Sequence, residues 1–437
     1  MKPNVVFVTT HDSGRYFNCY GVSSVHSPNI NALAEEGVLL ENCFCTSPVC
    51  TPSRASMMTG LYPQSHGMIG LLQAPWCWKQ KDGVRHLAQI LKHEGYHTQL
   101  IGLQHEFAGE EQATGFCEGL SSEDFSANEL ADQFDEFLQK REHHEQPFYA
   151  QIGFFETHTP FCRYQSVHDD RLGVNVPKYV EDGDAVREYL AQLQGSVREV
   201  DQAIGKLHES LKRLRLEENT IVVFATDHGI EMPRAKWTCY DAGIEVAVIV
   251  SWADGGVYGG RRIQPLISSM DLMPTLLELL EIEIPKEIEG ESFADLLRGE
   301  SELSNRDAVY GLFEDKEQRY VRTDEFKLIR NFKIHRSFTV PVDFEDAGRG
   351  PFVPFVELYH VKNDPLEQYN LALDSEYQGV LHRMDGLLWS WMEQMQDPLL
   401  FGPTVTPYYQ EAISSYRKYQ PSMNNNDKDR ALIKNDI

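Results

Sequence analysis

Two apolar, β-branched runs end in the same kind of polar step: Asn4–Thr10 (NVVFVTT) leads into His11-Asp12, and Thr220–Thr226 (TIVVFAT) leads into Asp227-His228. Unbroken apolar runs of this length, rather than alternating ones, read as strands buried on both faces. Such strands need helices on either side, and the rest of the chain supplies them. SPNINALAEEGV offers Pro28 at a helix start, Leu33 and Ala34 on one face, and Gly37 as a stop. HLAQILKHEGYHTQLIG repeats the scheme, with a helix closed by Gly95 and then a strand at about 97–101. PFYAQIGFF reads as a further strand, and Val197, Val200, Ile204, Leu207, Leu211 and Leu214 mark a long helix leading into TIVVFAT. The alternation predicts an α/β fold with a doubly wound, mostly parallel sheet flanked by helices. In such sheets functional residues collect just beyond the carboxyl ends of the strands, where both acidic/His pairs stand.

Beyond residue 305 the periodicity changes. DAVYGLF, RYVRTDEFKLIRNF and FVELYHV read as short aromatic strands separated by turns, and QGVLHRMDGLLWSWMEQM as a helix. The expected organisation is an α/β domain over 1–305, a smaller C-terminal α+β domain with an antiparallel sheet over 306–420, and a polar tail over 421–437 that frays. No internal repeat is visible.

With 66 Asp+Glu against 40 Lys+Arg the chain of 437 residues has a formal charge of −26, while its 41% hydrophobic content is that of a globular protein. Global disorder is excluded, and a nucleic-acid partner, which a basic face would attract, is not expected. One pocket that concentrates positive charge can still take a small anion. The N-terminal MKPNVVFVTT has a short apolar run rather than a signal-peptide core, and nothing approaches the ~18 apolar residues of a membrane span. The expectation is a soluble, cytoplasmic protein with no membrane partner. Eight cysteines (Cys19, Cys43, Cys45, Cys50, Cys77, Cys117, Cys162, Cys239) lack a regular framework, as reduced thiols of a cytosolic enzyme would. Cys43, Cys45 and Cys50 crowd together without a CxxC pair, which is weak ground for a zinc site.

His11-Asp12 and Asp227-His228 can converge on one cation although they are far apart in the chain; loop capping is the plain alternative for either pair alone. Between them lies CTSPVCTPSRASMMTG. Pro52 favours an extended or turn geometry, Ser53 can cap a helix starting at RASMMTG, and a helix N-terminus attracts anions. Cys50 at that terminus, with Arg54 four positions on, is expected to have a lowered pKa and to be a nucleophile, the alternative being a structural cysteine at a helix entry.

CTPSR, with TGLYPQSHG downstream, resembles the CxPSR signature of the sulfatase family, in which the cysteine is converted to formylglycine. The resemblance extends over nearly the whole chain. PNVVFVTTHDSGRYFNCYG is similar to the family's first metal-binding strand, FATDHG to its second, and DPLEQYNLA to its C-terminal landmark. DHGIEMPRAKWTCYDAG and the C-terminal region are most similar to the heparan N-sulfatase (sulfamidase) branch. This resemblance implies the alkaline phosphatase superfamily fold. By position it implies that Cys50 is the formylglycine precursor, whose hydrated aldehyde attacks sulfur, and that Arg54 holds it. Asp12, Asp227 and His228 would ligate a divalent cation, His158 in FFETHTPF would stand near the leaving group, and Lys236 would contact the sulfate or leaving group. The implied partners are a small sulfated or sulfamated substrate and a formylglycine-generating or anaerobic sulfatase-maturating enzyme.

Three departures from the family pattern bear on this expectation. His11-Asp12 replaces two adjacent carboxylates, and His11 is a possible nitrogen ligand; with His228 where many relatives have Asn, the expected metal shifts from calcium towards manganese or zinc. The family's GKWH element corresponds to Gly102-Leu103-Gln104-His105, so a substrate-contacting Lys is missing while His105 remains. The lack of an export signal speaks against an extracellular polysaccharide as direct substrate. The leading reading is a metal- and formylglycine-dependent hydrolase of sulfate esters or sulfamates. The alternatives are a phosphonate monoester or phosphodiester hydrolase of the same superfamily, and a degenerate binding protein. The substrate's organic part and the oligomeric state stay open.

Overall fold

The computed structural model describes residues 2–109, 114–119, 122, 124–141, 145–161, 168–304, 306–338 and 349–423, so Cys162 and residues 424–437 of the expected tail lie outside the described residues. Its main sheet has seven strands: β1 (Asn4–Thr10), β2 (Val38–Leu40), β3 (His97–Gly102), β4 (Phe148–Gly153), β5 (Thr220–Thr226), β6 (Val248–Ser251) and β7 (Arg261–Ile263). They lie in the order β3-β4-β1-β5-β6-β2-β7. The pairs β3–β4, β4–β1, β1–β5 and β2–β7 are parallel, and only the contacts of β6 with β5 and β2 run antiparallel.

Strand β1 shows why the apolar run is unbroken. Val5 and Phe7 point into one core, which they share with Met57, Leu87 and Leu91 of the helices Cys50–Thr59 (α1) and Leu87–His93 (α2). Val6 and Val8 point into the other core, against Phe134 of Ala127–Lys140 (α3) and Leu193, Val200 and Ile204 of Asp184–Arg213 (α4). Successive residues alternate between faces, and helices cover both. The helix predicted at Pro28 runs over Pro28–Glu36 and stops at Gly37, on the α4 side. Ser126 opens α3 with a reciprocal capping box to Glu129.

The C-terminal antiparallel sheet contains Val309–Phe313, Gln318–Arg322, Phe326–Asn331 and Val356–His360 in that order. Helix α5 (Gln378–Gln394) packs Met384, Leu388 and Trp391 onto Val321, Leu328 and Leu358. A further helix, α6 (Pro407–Met423), was not anticipated: its sequence carries no wide apolar stripe, and the side chains of residues 407–417 are largely exposed. Among the described residues no helix is long and apolar enough to cross a membrane.

Candidate active site

Strands β1 and β5 are adjacent, with Thr10 opposite Thr226, so the residues that follow them emerge side by side. The chain after β5 passes very close to its neighbours: a Cβ at Gly229 would lie 1.9 Å from the Ala242 carbonyl oxygen, which excludes any larger residue after His228. Helix α1 starts at the same edge. Its first residue is Cys50 itself, with Val49 as cap. The expected helix start at Arg54, with Ser53 as its cap, is therefore corrected. Pro52 sits in the first turn, where a missing N–H costs nothing, and Ser53 Oγ instead donates to the Asp227 carbonyl at 2.5 Å.

All nine residues singled out in the sequence come together here. His11 Nδ1 lies 3.1 Å from Asp227 Oδ2. His228 Nε2 lies 3.3 Å from Asp12 Oδ1 and 3.3 Å from Cys50 Sγ. Lys236 Nζ donates to Asp12 Oδ2 at 2.6 Å and stands 3.4 Å from His158 Nε2. Arg54 donates from Nε to Asp227 Oδ2 at 3.0 Å, from Nη1 to Thr9 Oγ1 at 2.9 Å and from Nη2 to the Thr10 carbonyl at 3.2 Å. The His105 and His158 rings each lie 5.6 Å from that of His11.

Burial decides most of the charge states. The lowered thiol pKa expected for Cys50 is overturned: burial pushes it well up, and Lys236 and Arg54 only partly oppose this. The helix terminus and nearby cations do not offset full removal from water. Asp227 behaves in the opposite way. Burial alone would raise it, but His228, Arg54 and His11 hold its carboxyl well below the usual range. Burial lifts Asp12 above its ordinary value against Lys236 and His228. Burial also keeps the imidazoles uncharged near neutrality: His11 and His228 are lowered, His105 falls to about 3, and His158 to about 4 with Lys236 adding to the effect. His228 Nδ1 donates to the Gly229 carbonyl at 3.0 Å, so the lone pair on Nε2 faces Asp12 and Cys50. His158 Nδ1 likewise donates to the Thr159 carbonyl, leaving Nε2 as an acceptor towards Lys236.

The donor set fits a divalent cation. His11 Nε2, Asp12 Oδ1 and His105 Nδ1 are buried and have no hydrogen-bond partner, and His11 Nδ1 has only its 3.1 Å contact with Asp227 Oδ2. Ligand atoms of His11, Asp12, Cys50 and Asp227 all lie within 4.8 Å of one another. Buried polar atoms are normally satisfied, so an unpaired Asp12 oxygen beside unpaired imidazole nitrogens of His11 and His105 is the arrangement that a bound cation would complete. The mixed oxygen and nitrogen donors suit manganese or zinc at least as well as calcium.

Two carboxylates of the site escaped the sequence reading. Glu231 accepts from Thr159 Oγ1 at 2.9 Å and lies 3.4 Å from Lys236 Nζ; although burial opposes it, Lys236 and His158 hold it at about 2. Glu106 accepts the backbone N–H of His105 at 2.7 Å and lies 3.4 Å from His86 Nε2. Their signal was position: Glu231 lies between Asp227 and Lys236, and Glu106 directly follows His105.

The mostly parallel sheet, with this cluster of carboxylates and imidazoles at its carboxyl edge, has the alkaline-phosphatase-like fold. The solved phosphonate monoester hydrolase of Agrobacterium radiobacter shares the fold with a TM-score of 0.71 at 19% identity, over 90% of this chain and 96% of that one. The sulfatase family profile matches residues 3–282, and the chain belongs to that family. A second profile, for the C-terminal part of N-sulphoglucosamine sulphohydrolase, matches residues 234–346. An ulvan-active sulfatase of Formosa agariphila is 27% identical over 93% of this chain and 84% of its own length. The N-sulphoglucosamine sulphohydrolase of Homo sapiens is 26% identical over 92% of both. The protein is thus a hydrolase of the sulfuric ester and sulfamate type.

Proposed function

We propose that Cys50, as formylglycine, and a divalent cation held by Asp12, Asp227, His228 and His11 together hydrolyse a small sulfate ester or sulfamate. The observation that carries this reading is the set of buried carboxylate and imidazole ligand atoms, several of them unpaired, around Cys50 at the head of α1. When present, the formylglycine hydrate supplies the oxygen nucleophile and the cation supplies Lewis-acid stabilisation of negative charge.

The chain's own groups have separate tasks. Arg54 keeps Asp227 ionised and fixes the ends of β1 through Thr9 and Thr10. Lys236, held charged by Asp12 and Glu231 despite its burial, places an ammonium where the sulfo group's charge develops. His158 is uncharged at neutral pH, and its Nε2, an acceptor near the leaving group, holds the Lys236 ammonium in place beside the departing oxygen or nitrogen. His105, held through its backbone by Glu106, adds a neutral donor or acceptor in place of the missing lysine.

The match to the N-sulphoglucosamine sulphohydrolase C-terminal profile supports sulfo transfer to water over phosphonate hydrolysis. Parallel assays test this, using N-sulfoglucosamine, 4-nitrophenyl sulfate and a phenyl phosphonate monoester with enzyme co-expressed with a maturating enzyme and with the metal varied. The reading expects kcat/KM to be highest for a sulfate or sulfamate. Preferred hydrolysis of the phosphonate would reverse it.

A further inference from the structure

The site opens at one end. The His158 side chain is 26% exposed, whereas His11, Asp12, Cys50, Asp227, His228 and Lys236 are all buried. Lys236 Nζ, which stands beside His158, lies 5.2 Å from the ring centroid of Trp237. Trp237 is half-buried, with its indole beside the ammonium that His158 contacts. Its backbone has φ 68°, in the left-handed region that favours glycine.

The surroundings hold this conformation firmly. The backbone N–H donates to the Pro48 carbonyl at 3.2 Å, and the carbonyl accepts from Lys316 Nζ at 2.9 Å. Indole Nε1 donates to Glu231 Oε1 at 3.4 Å, and the ring packs against Phe313 with centroids 6.0 Å apart. Glycine would form the same turn without strain, so the bulky ring serves something other than the turn.

Resting on the hydrolase reading above, we propose that Trp237 is a specificity-determining residue. Its ring is a wall of the mouth, on which the ring of the substrate's organic part lies while the sulfo group reaches Lys236. The substrate class is then a sulfate or sulfamate borne on a ring with an apolar face, either a pyranose or an arene.

Four probes in two pairs test the assignment: N-sulfoglucosamine with sulfamate ion, and 4-nitrophenyl sulfate with methyl sulfate. Each pair compares a ring with no ring. Dissociation constants are measured by calorimetry on metal-loaded Cys50→Ala, and on the same protein carrying Trp237→Gly or Trp237→Phe, alongside kcat/KM of the matured enzymes. Trp237→Gly should weaken binding of one ring probe, and raise its KM, about tenfold, with the ringless partner changing less than twofold; Trp237→Phe should restore most of the loss. The pair that responds tells pyranose from arene. Equal losses for ring and ringless probes would reduce Trp237 to a support for Lys236 and overturn the proposal. So would no loss for either ring probe, a Phe variant as poor as Gly, or no binding of any probe. Ring-dependent binding without turnover by the matured wild type would sink the hydrolase reading while leaving Trp237 in its role.

Discussion

Two arginine–aspartate pairs are equally buried and differ in everything around them. Arg319 donates to both oxygens of Asp397, from Nε at 2.6 Å and Nη2 at 3.0 Å. It also donates from Nη2 to Glu314 at 3.2 Å, and Asp397 accepts further from Gln64 Nε2 at 2.7 Å and the Leu399 N–H at 3.0 Å. Arg54 reaches Asp227 through Nε alone, and its neighbours His11, Asp12 and His105 carry buried atoms with no partner. The first pair is itself fully engaged within the chain, and the unpaired atoms beside it are the amide oxygens of Gln64 and Gln318 rather than metal-ligand groups. The second is arranged as though one more positive charge belonged there. A buried ion pair therefore says little by itself; unpaired carboxylate and imidazole atoms gathered around it separate a reactive pair from a structural one.

The largest expected effect lies on the reactive side. Cys50→Ala should lower sulfate or sulfamate turnover by at least ~10⁴-fold while the thermal midpoint barely moves, because the nucleophile is lost but little volume is removed. Retained turnover in a steady-state assay would place the chemistry elsewhere.

Next come the arginines. Arg319→Met leaves Asp397 buried without its counter-charge and should cost ~3–5 kcal/mol in denaturant unfolding, indifferent to added metal. Arg54→Met should destabilise through Asp227 in the same way, but about 2–3 kcal/mol should return when a divalent cation is added at roughly a hundredfold over its Kd, since ligand binding to the native state is stabilising. Equal metal responses in the two variants would erase the distinction.

A smaller effect comes from His66, the last residue of TGLYPQSH and of the short helix Pro63–His66. Burial lowers its pKa to about 3, and both ring nitrogens are engaged, with Ser56 Oγ at 3.1 Å and the Met68 N–H at 3.0 Å. A histidine kept neutral in the fold stabilises most above its unfolded pKa of about 6.5, and this is lost as pH falls towards 3 because the unfolded chain binds the proton first. Between pH 7 and 5 the loss should be ~2 kcal/mol, and His66→Gln should flatten that part of the stability curve. An unchanged slope in the variant would mean His66 is not the group titrating.

The layout of the site was legible because it follows from strand ends. Unbroken runs over Asn4–Thr10 and Thr220–Thr226 imply neighbouring central strands, and neighbouring strands bring their next residues together whatever their separation in sequence. Local rules read the head of α1 less well. Pro52 suggested a turn but is tolerated in a first helical turn, and Cys50 was judged by its charged neighbours, whereas burial dominates its proton affinity. The antiparallel β6 was missed because a four-residue apolar run carries no sign of direction. Glu231 and Trp237 were passed over because their importance depends on what they face across the fold, and neither periodicity nor composition encodes that.

The most direct test of the account is the metal content of the purified protein after dialysis. It predicts one equivalent of a divalent cation per wild-type chain, lost in Asp12→Asn while Arg319→Met retains it. A wild-type chain that binds no cation, or an Asp12→Asn variant that binds it equally well, would contradict the assignment of the unpaired cluster as a cation site.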